Sequence, residues 1–194
     1  KTIELIEKTP ERLSEVDGIG AKRIEMILKA WKEQRDIKEI MIFLQGHGVS
    51  VTYSTKIYRH YGKRSIEVVK ENPYCLARDI HGIGFVSADR IAQNLGIDSQ
   101  SIIRAKAGLI YVLSELTQEG HVYYPEDALV KRAGDILKVD PEVVQQALGE
   151  LRREKDIVTE EIGDIENKRG VYLESFYVAE VGIAEHMKAL VATR

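Results

Sequence analysis

At 194 residues, 44% hydrophobic and 30% charged, the chain has the composition of a globular protein of one large or a few small domains, not of a disordered segment. No apolar run approaches the roughly 18–20 residues that cross a bilayer, and no basic-then-apolar leader pattern opens the chain, so neither a membrane nor an export route is indicated. The lone Cys75 excludes an internal disulfide and a cysteine-rich zinc site and points to a reducing cytoplasm.

The net charge of −3 is unevenly spread. Residues 22–64 carry ten Lys/Arg against four Asp/Glu, whereas residues 101–194 carry twelve against seventeen. The first third of the chain is therefore able to present a basic face.

In chain order, Thr2 suits an N-cap for a short helix that ends before Pro10, and Pro10 suits the first position of a second. Gly18-Ile19-Gly20 then makes a tight turn into a longer amphipathic helix with Ile24, Ile27, Leu28 and Trp31 at helical spacing. Residues 37–62, "IKEIMIFLQGHGVSVTYSTKIYRHYG", give an apolar helix, a turn at Gly46-His47-Gly48, and a helix capped by Ser50 that carries Ile57, Tyr58 and Tyr61. The segment 65–96 repeats 2–31: Ser65, Ile66, Glu67, Pro73 and Leu76 align with Thr2, Ile3, Glu4, Pro10 and Leu13. After a one-residue insertion, Gly82, Ile83, Gly84 and Ile91 align with Gly18, Ile19, Gly20 and Ile27. Ser65 thus suits an N-cap too. The middle copy is the degenerate one, with His47 where the others have Ile.

Polar residues 97–101 predict a boundary near residue 100. A helix follows with Ile103, Ala107, Ile110, Leu113 and Leu116 on one face and Gly120 as its stop. Then come a short extended piece (121–125), two amphipathic helices, and two strands around a polar turn over 156–173. Asp140 and Pro141 mark the start of the second of those helices. This order is that of a winged-helix domain, with 141–155 as its recognition helix and Lys168 and Arg169 at the tip of the wing. Glu142, Glu150, Glu154, Asp156, Glu160, Glu161, Asp164 and Glu166 crowd the same surfaces and oppose a phosphate backbone, which favours a structural or docking role for it. A last amphipathic helix closes the chain.

A glycine turn before a helix bares backbone amides beside the helix's own unbonded first N–H groups, and the helix dipole favours an anion there. A side chain at the glycine would hold a phosphate away. Lys22 and Arg23 add positive charge at the first such turn; Lys56, Arg59, Lys63 and Arg64 lie near the second; the third has Val86 and Ser87 instead. The competing reading is that the glycines only let helices pack. His47, His60 and His81 have no metal-ligand spacing.

"LSEVDGIGAKRIEMIL" and "LARDIHGIGFVSADRIAQNLG" resemble the helix-hairpin-helix family of DNA binders, which implies contact with the sugar–phosphate backbone without base readout. Carried over by position, the resemblance implies donors at the amides of Gly18, Ile19, Gly20 and Ala21 with Lys22 and Arg23. In the third copy they are Gly82, Ile83, Gly84 and Phe85 with Ser87, and in the middle copy Gly46, Gly48, Ser50 and Lys56. Together with "MIFLQGHGVS", "KIYRHYG" and "VYLESFYVAEVGIAEHMKAL", these segments resemble the N-terminal region of RecD/TraA family helicases of the RecD-like type with a long N-terminal extension.

That resemblance covers essentially the whole chain and implies an ATP-driven helicase, moving 5′→3′ on single-stranded DNA in repair or recombination and related to the exodeoxyribonuclease V alpha subunit. The chain has no Gly-x-x-x-x-Gly-Lys-Ser/Thr loop, so it is expected to be a fragment without catalysis or cofactor of its own. ATP and Mg are expected for an ATPase core beyond residue 194. The expected fold is mainly α: a tandem helix-hairpin-helix array over 1–100, a small α+β winged-helix-like domain over 101–175, and a helix over 176–194 leading into that core. Expected partners are DNA and the protein's own helicase core, with no membrane. A glycosylase acting through Asp98, a nuclease using the carboxylates of "TEEIGDIENK", and a protein-docking module are the rival readings.

Overall fold

The structure is a computed structural model and describes residues 2–163 and 169–192. Lys168, Asp164 and Glu166, placed at or near the wing by the sequence, lie outside the described residues. The chain divides into two compact units, Lys1–Ile83 and Gly84–Arg194.

The first unit is helical. Helix α1 (Thr2–Lys8) is followed by a 3-10 turn at Pro10–Glu15, α2 (Ala21–Gly46), α3 (Val51–Tyr61), a 3-10 turn at Gly62–Arg64, α4 (Ser65–Glu71) and α5 (Cys75–Asp79). Two helices expected within 21–45 are one helix of 26 residues. The intervening "KEQRDIKE" consists mostly of good helix formers and holds no Gly or Pro to break the ladder. Thr2 and Ser65 are the first residues of their helices rather than caps before them. Ser65 is buried and donates its hydroxyl to Gly62 O at 2.6 Å, tying α4 to the preceding turn. The core is set by Leu44 of α2, Ile57 of α3, Val69 of α4 and Leu76 of α5, all fully buried, with Ile40, Val49, Ile80 and Ile83 around them. Each such side chain contributes about 1.5–3 kcal/mol by leaving water.

The second unit begins with α6 (Phe85–Asn94) and α7 (Ile102–Gln118), followed by β1 (Tyr124–Pro125), α8 (Glu126–Leu137), α9 (Pro141–Glu154), β2 (Ile157–Glu161), β3 (Arg169–Leu173) and α10 (Glu174–Ala192). The strands form an antiparallel sheet in the order β1-β3-β2, with Ile157 opposite Leu173 and Tyr124 opposite Val171. This is the expected winged-helix-like order of elements. Its core gathers Leu109, Val112 and Leu116 of α7, Leu129 and Ala133 of α8, Val144 and Leu148 of α9, and Ile157 and Val171 of the sheet. Gly120 ends α7 at φ +95°, as its place after the apolar run predicts. Asp140 and Pro141 open α9 as expected, although the Asp140 side chain makes no capping bond.

Candidate nucleic-acid interface

Three turns in the chain share one backbone geometry. Gly18, Gly48 and Gly82 are left-handed, at φ +85°, +82° and +94°. Two residues on, Gly20, Ser50 and Gly84 are extended and cap the next helix. Between them sits one apolar residue: Ile19 half-buried, Val49 and Ile83 buried. The apolar residue anchors each turn, and the left-handed glycine turns the chain where a β-carbon would be strained.

The middle copy is therefore registered on Gly48-Val49-Ser50, two residues beyond the Gly46-His47-Gly48 that glycine spacing suggests. Gly46 is still helical as the last residue of α2, and His47, Gly48 and Val49 donate to Phe43 O, Gln45 O and Leu44 O at 3.2, 3.0 and 3.0 Å. Those amides close the end of α2. The buried apolar side chain sets the register, and the count of glycines does not.

Hydrogen bonding sorts the predicted donors. Ile19 N–H goes to Val16 O and Ile83 N–H to Ile80 O, both at 3.0 Å, so these two amides close their own turns instead of facing outward. Arg23 and Ile24 both donate to Gly20 O, at 2.9 and 3.1 Å. The amides of Gly20, Ala21 and Lys22 lead α2, where no preceding turn offers a carbonyl. At the third turn Ser87 and Ala88 both donate to Gly84 O at 3.1 Å, so the Ser87 amide is spent and α6 opens on Gly84 in the same way.

The second glycine of each Gly-Ile-Gly is not required by the fold. Gly20 lies at φ −86° and Gly84 at φ −95°, values open to any residue, and a β-carbon on either would meet nothing within 4 Å. The left-handed glycines differ. A β-carbon on Gly82 would lie 3.3 Å from the Tyr53 hydroxyl.

Charged side chains are partly committed. Arg23 Nη1 folds back onto Gly18 O at 2.6 Å. Lys63 pairs with Asp36 at 2.8 Å, which raises the lysine and lowers the carboxyl from their ordinary pKa values, and Arg64 pairs with Glu67 at 3.2 Å. Among the described residues Lys22, Lys56 and Arg59 form no ion pair. Lys56 does not attend the middle turn. Its Nζ bonds His81 O in the third turn at 2.9 Å, beside Tyr53, whose hydroxyl bonds Gly82 O at 2.6 Å. Sequence reasoning missed Tyr53, since no local pattern ties it to a glycine 29 residues away. In the second unit, Glu150 and Glu154 of α9 face Lys106 at 3.7 and 2.5 Å, and Arg152 bonds Glu126 at 3.1 Å. Among the described residues no three His, Cys, Asp or Glu side chains converge on a metal position, and no helix is long and apolar enough to cross a membrane.

Repeated helix, left-handed glycine turn and helix units define a helix-hairpin-helix protein. Residues 33–123 match the family described as the ATP-dependent RecD2 DNA helicase HHH domain. The matched stretch holds the second and third turns and runs into the winged-helix-like unit; the Gly18 turn precedes it. The chain is also 24% identical, over 197 aligned residues, to an ATP-dependent RecD2 DNA helicase of Deinococcus radiodurans. That alignment covers 98% of this chain and 27% of the relative, so the chain spans about a quarter of the relative's length.

Proposed function

We propose that the chain is the part of a RecD2-type helicase that holds the sugar–phosphate backbone of DNA without reading bases. In this reading Gly20, Ala21 and Lys22 present amides and charge to one phosphate, and Gly84 with the start of α6 does so for another. Gly18, Gly48 and Gly82 shape the turns. Residues 1–100 act as the hairpin array, 101–175 as a winged-helix-like support, and 176–194 as the lead into an ATPase core that needs ATP and Mg. The whole protein would move 5′→3′ on single-stranded DNA in the cytoplasm, in repair or recombination, as an exodeoxyribonuclease V alpha-like motor.

The observation that carries the proposal is the open space at Gly20 and Gly84. Neither packing nor backbone conformation demands glycine there, and close approach of an outside group does. The rival view, that the glycines only pack helices, accounts for Gly82 and not for these two. Binding of a fluorescent single-strand/duplex junction, followed against salt, tests the proposal. Wild type loses affinity steeply with salt, and Lys22→Glu/Arg23→Glu binds at least about tenfold more weakly with a log–log slope shallower by about two. Equal, salt-insensitive binding by both proteins overturns it.

A further inference from the structure

Two of the turns hold a cation beside the left-handed glycine, by different means. A β-carbon on Gly18 would lie 3.7 Å from Arg23 Nη1, and one on Gly82 would lie 3.8 Å from Lys56 Nζ. Each left-handed glycine carbonyl also accepts a 2.6 Å hydrogen bond, from Arg23 Nη1 at Gly18 and from the Tyr53 hydroxyl at Gly82. Arg23 belongs to the helix that its own turn opens. Tyr53 and Lys56 belong to α3, and reach a turn more than 20 residues further along the chain. The third hairpin has Val86 and Ser87 where the first has Lys22 and Arg23, so it has no such cation of its own.

We infer that α3 completes the third hairpin as a phosphate site: Lys56 supplies the charge which that hairpin lacks, and Tyr53 is the positioning residue that fixes the Gly82 carbonyl. An ammonium has three donors, and the bond to His81 O uses one. Lys56 is exposed, so the other donors face outward. Its Nζ also lies 5.5 Å from the centre of the Tyr53 ring, a cation–π distance that holds the pair together. Within the first unit, the helix that follows the second turn therefore provides the cation of the third turn. The inference rests on the backbone-binding reading of the hairpins.

The test uses the 194-residue chain, the same junction substrate and a salt series, with Lys22→Gln as the comparator. Lys56→Gln is expected to bind about three- to tenfold more weakly, with a log–log slope shallower by about 0.9. Lys56→Arg restores the slope. Tyr53→Phe removes a hydrogen bond and no charge, so it weakens binding about threefold at unchanged slope and shifts the backbone amide signals of His81 and Gly82. If Lys22→Gln lowers the slope while Lys56→Gln keeps wild-type affinity and slope, the inference is wrong and the backbone reading stands. If Lys56→Gln and Lys56→Arg fall equally, Lys56 is only a brace and the inference is again wrong. Salt-insensitive binding by wild type removes the backbone reading itself, and the inference with it.

Discussion

Arg104 lays its guanidinium along the Asp89 carboxylate, Nε to Oδ1 at 2.8 Å and Nη2 to Oδ2 at 3.1 Å, with both side chains almost wholly buried. Its remaining nitrogen, Nη1, donates to Leu137 O at 2.8 Å and Ser99 O at 3.0 Å. One side chain of α7 thus fastens α6, the loop after it and the end of α8.

Arg104→Met is therefore expected to cost about 3–5 kcal/mol, because it takes the charge partner from a buried carboxylate and a donor from the buried Leu137 carbonyl and the part-buried Ser99 carbonyl. Asp89→Leu alone costs a similar amount. The double variant Asp89→Leu/Arg104→Met is expected to lose clearly less than the sum of the two singles, the pair having been removed together. Urea unfolding followed by far-UV circular dichroism measures all three. Additive losses would show that the two residues act independently.

The two glycines of the first turn are expected to respond in opposite ways. Gly18→Ala forces a β-carbon into φ +85° and is expected to cost about 1–2 kcal/mol. Gly20→Ser places a better cap at an extended, uncrowded position, so the melting temperature holds or rises. The same serine intrudes where a phosphate approaches, and junction binding falls. A Gly20→Ser protein that melts as wild type and binds as wild type would return the glycine to chance.

Acid is expected to act through Asp79. The Arg78 hydrogen bond at 2.8 Å, joined by one from Tyr61 at 2.6 Å, holds its carboxyl below the ordinary range against the opposing pull of burial. The folded pKa lies below the unfolded value of about 3.9, so the contribution is present at neutral pH. It drains as pH falls below about 4 and is gone beneath the folded value. Tyr61 is raised, first by burial and then by Asp79, so its contribution is full below about pH 10 and is lost only as pH climbs through the folded value. Asp79→Asn should then be less stable than wild type by about 1 kcal/mol at pH 7 and equal to it near pH 2. An identical deficit at both pH values would contradict this linkage.

The turns themselves were legible because they depend on local chemistry: Gly18 and Gly82 adopt the backbone region that glycine alone enters freely. The order of helices and strands after residue 100 followed from apolar spacing and from stops such as Gly120. The register of the middle turn was not legible. Glycine spacing favours Gly46, while Val49, by being buried as Ile83 is, sets the geometry. Helix α2 hid its continuity behind a polar stretch that looks like a linker and propagates as helix. Lys56 lies near the middle turn in sequence and serves the third in space, and Tyr53 carries no local signature at all. These are tertiary facts, set by how α3 packs and not by any short pattern.

Main-chain amides at the first turns of α2 and α6 are the proposed phosphate donors. Titrating 15N-labelled protein with a duplex carrying a single-stranded tail tests this most directly. The amide signals of Gly20, Ala21, Lys22 and Gly84 are expected to move together and saturate, with the effect lost as salt is raised. Shifts confined to α10 or to the winged-helix-like sheet, with those four signals unmoved, would contradict it.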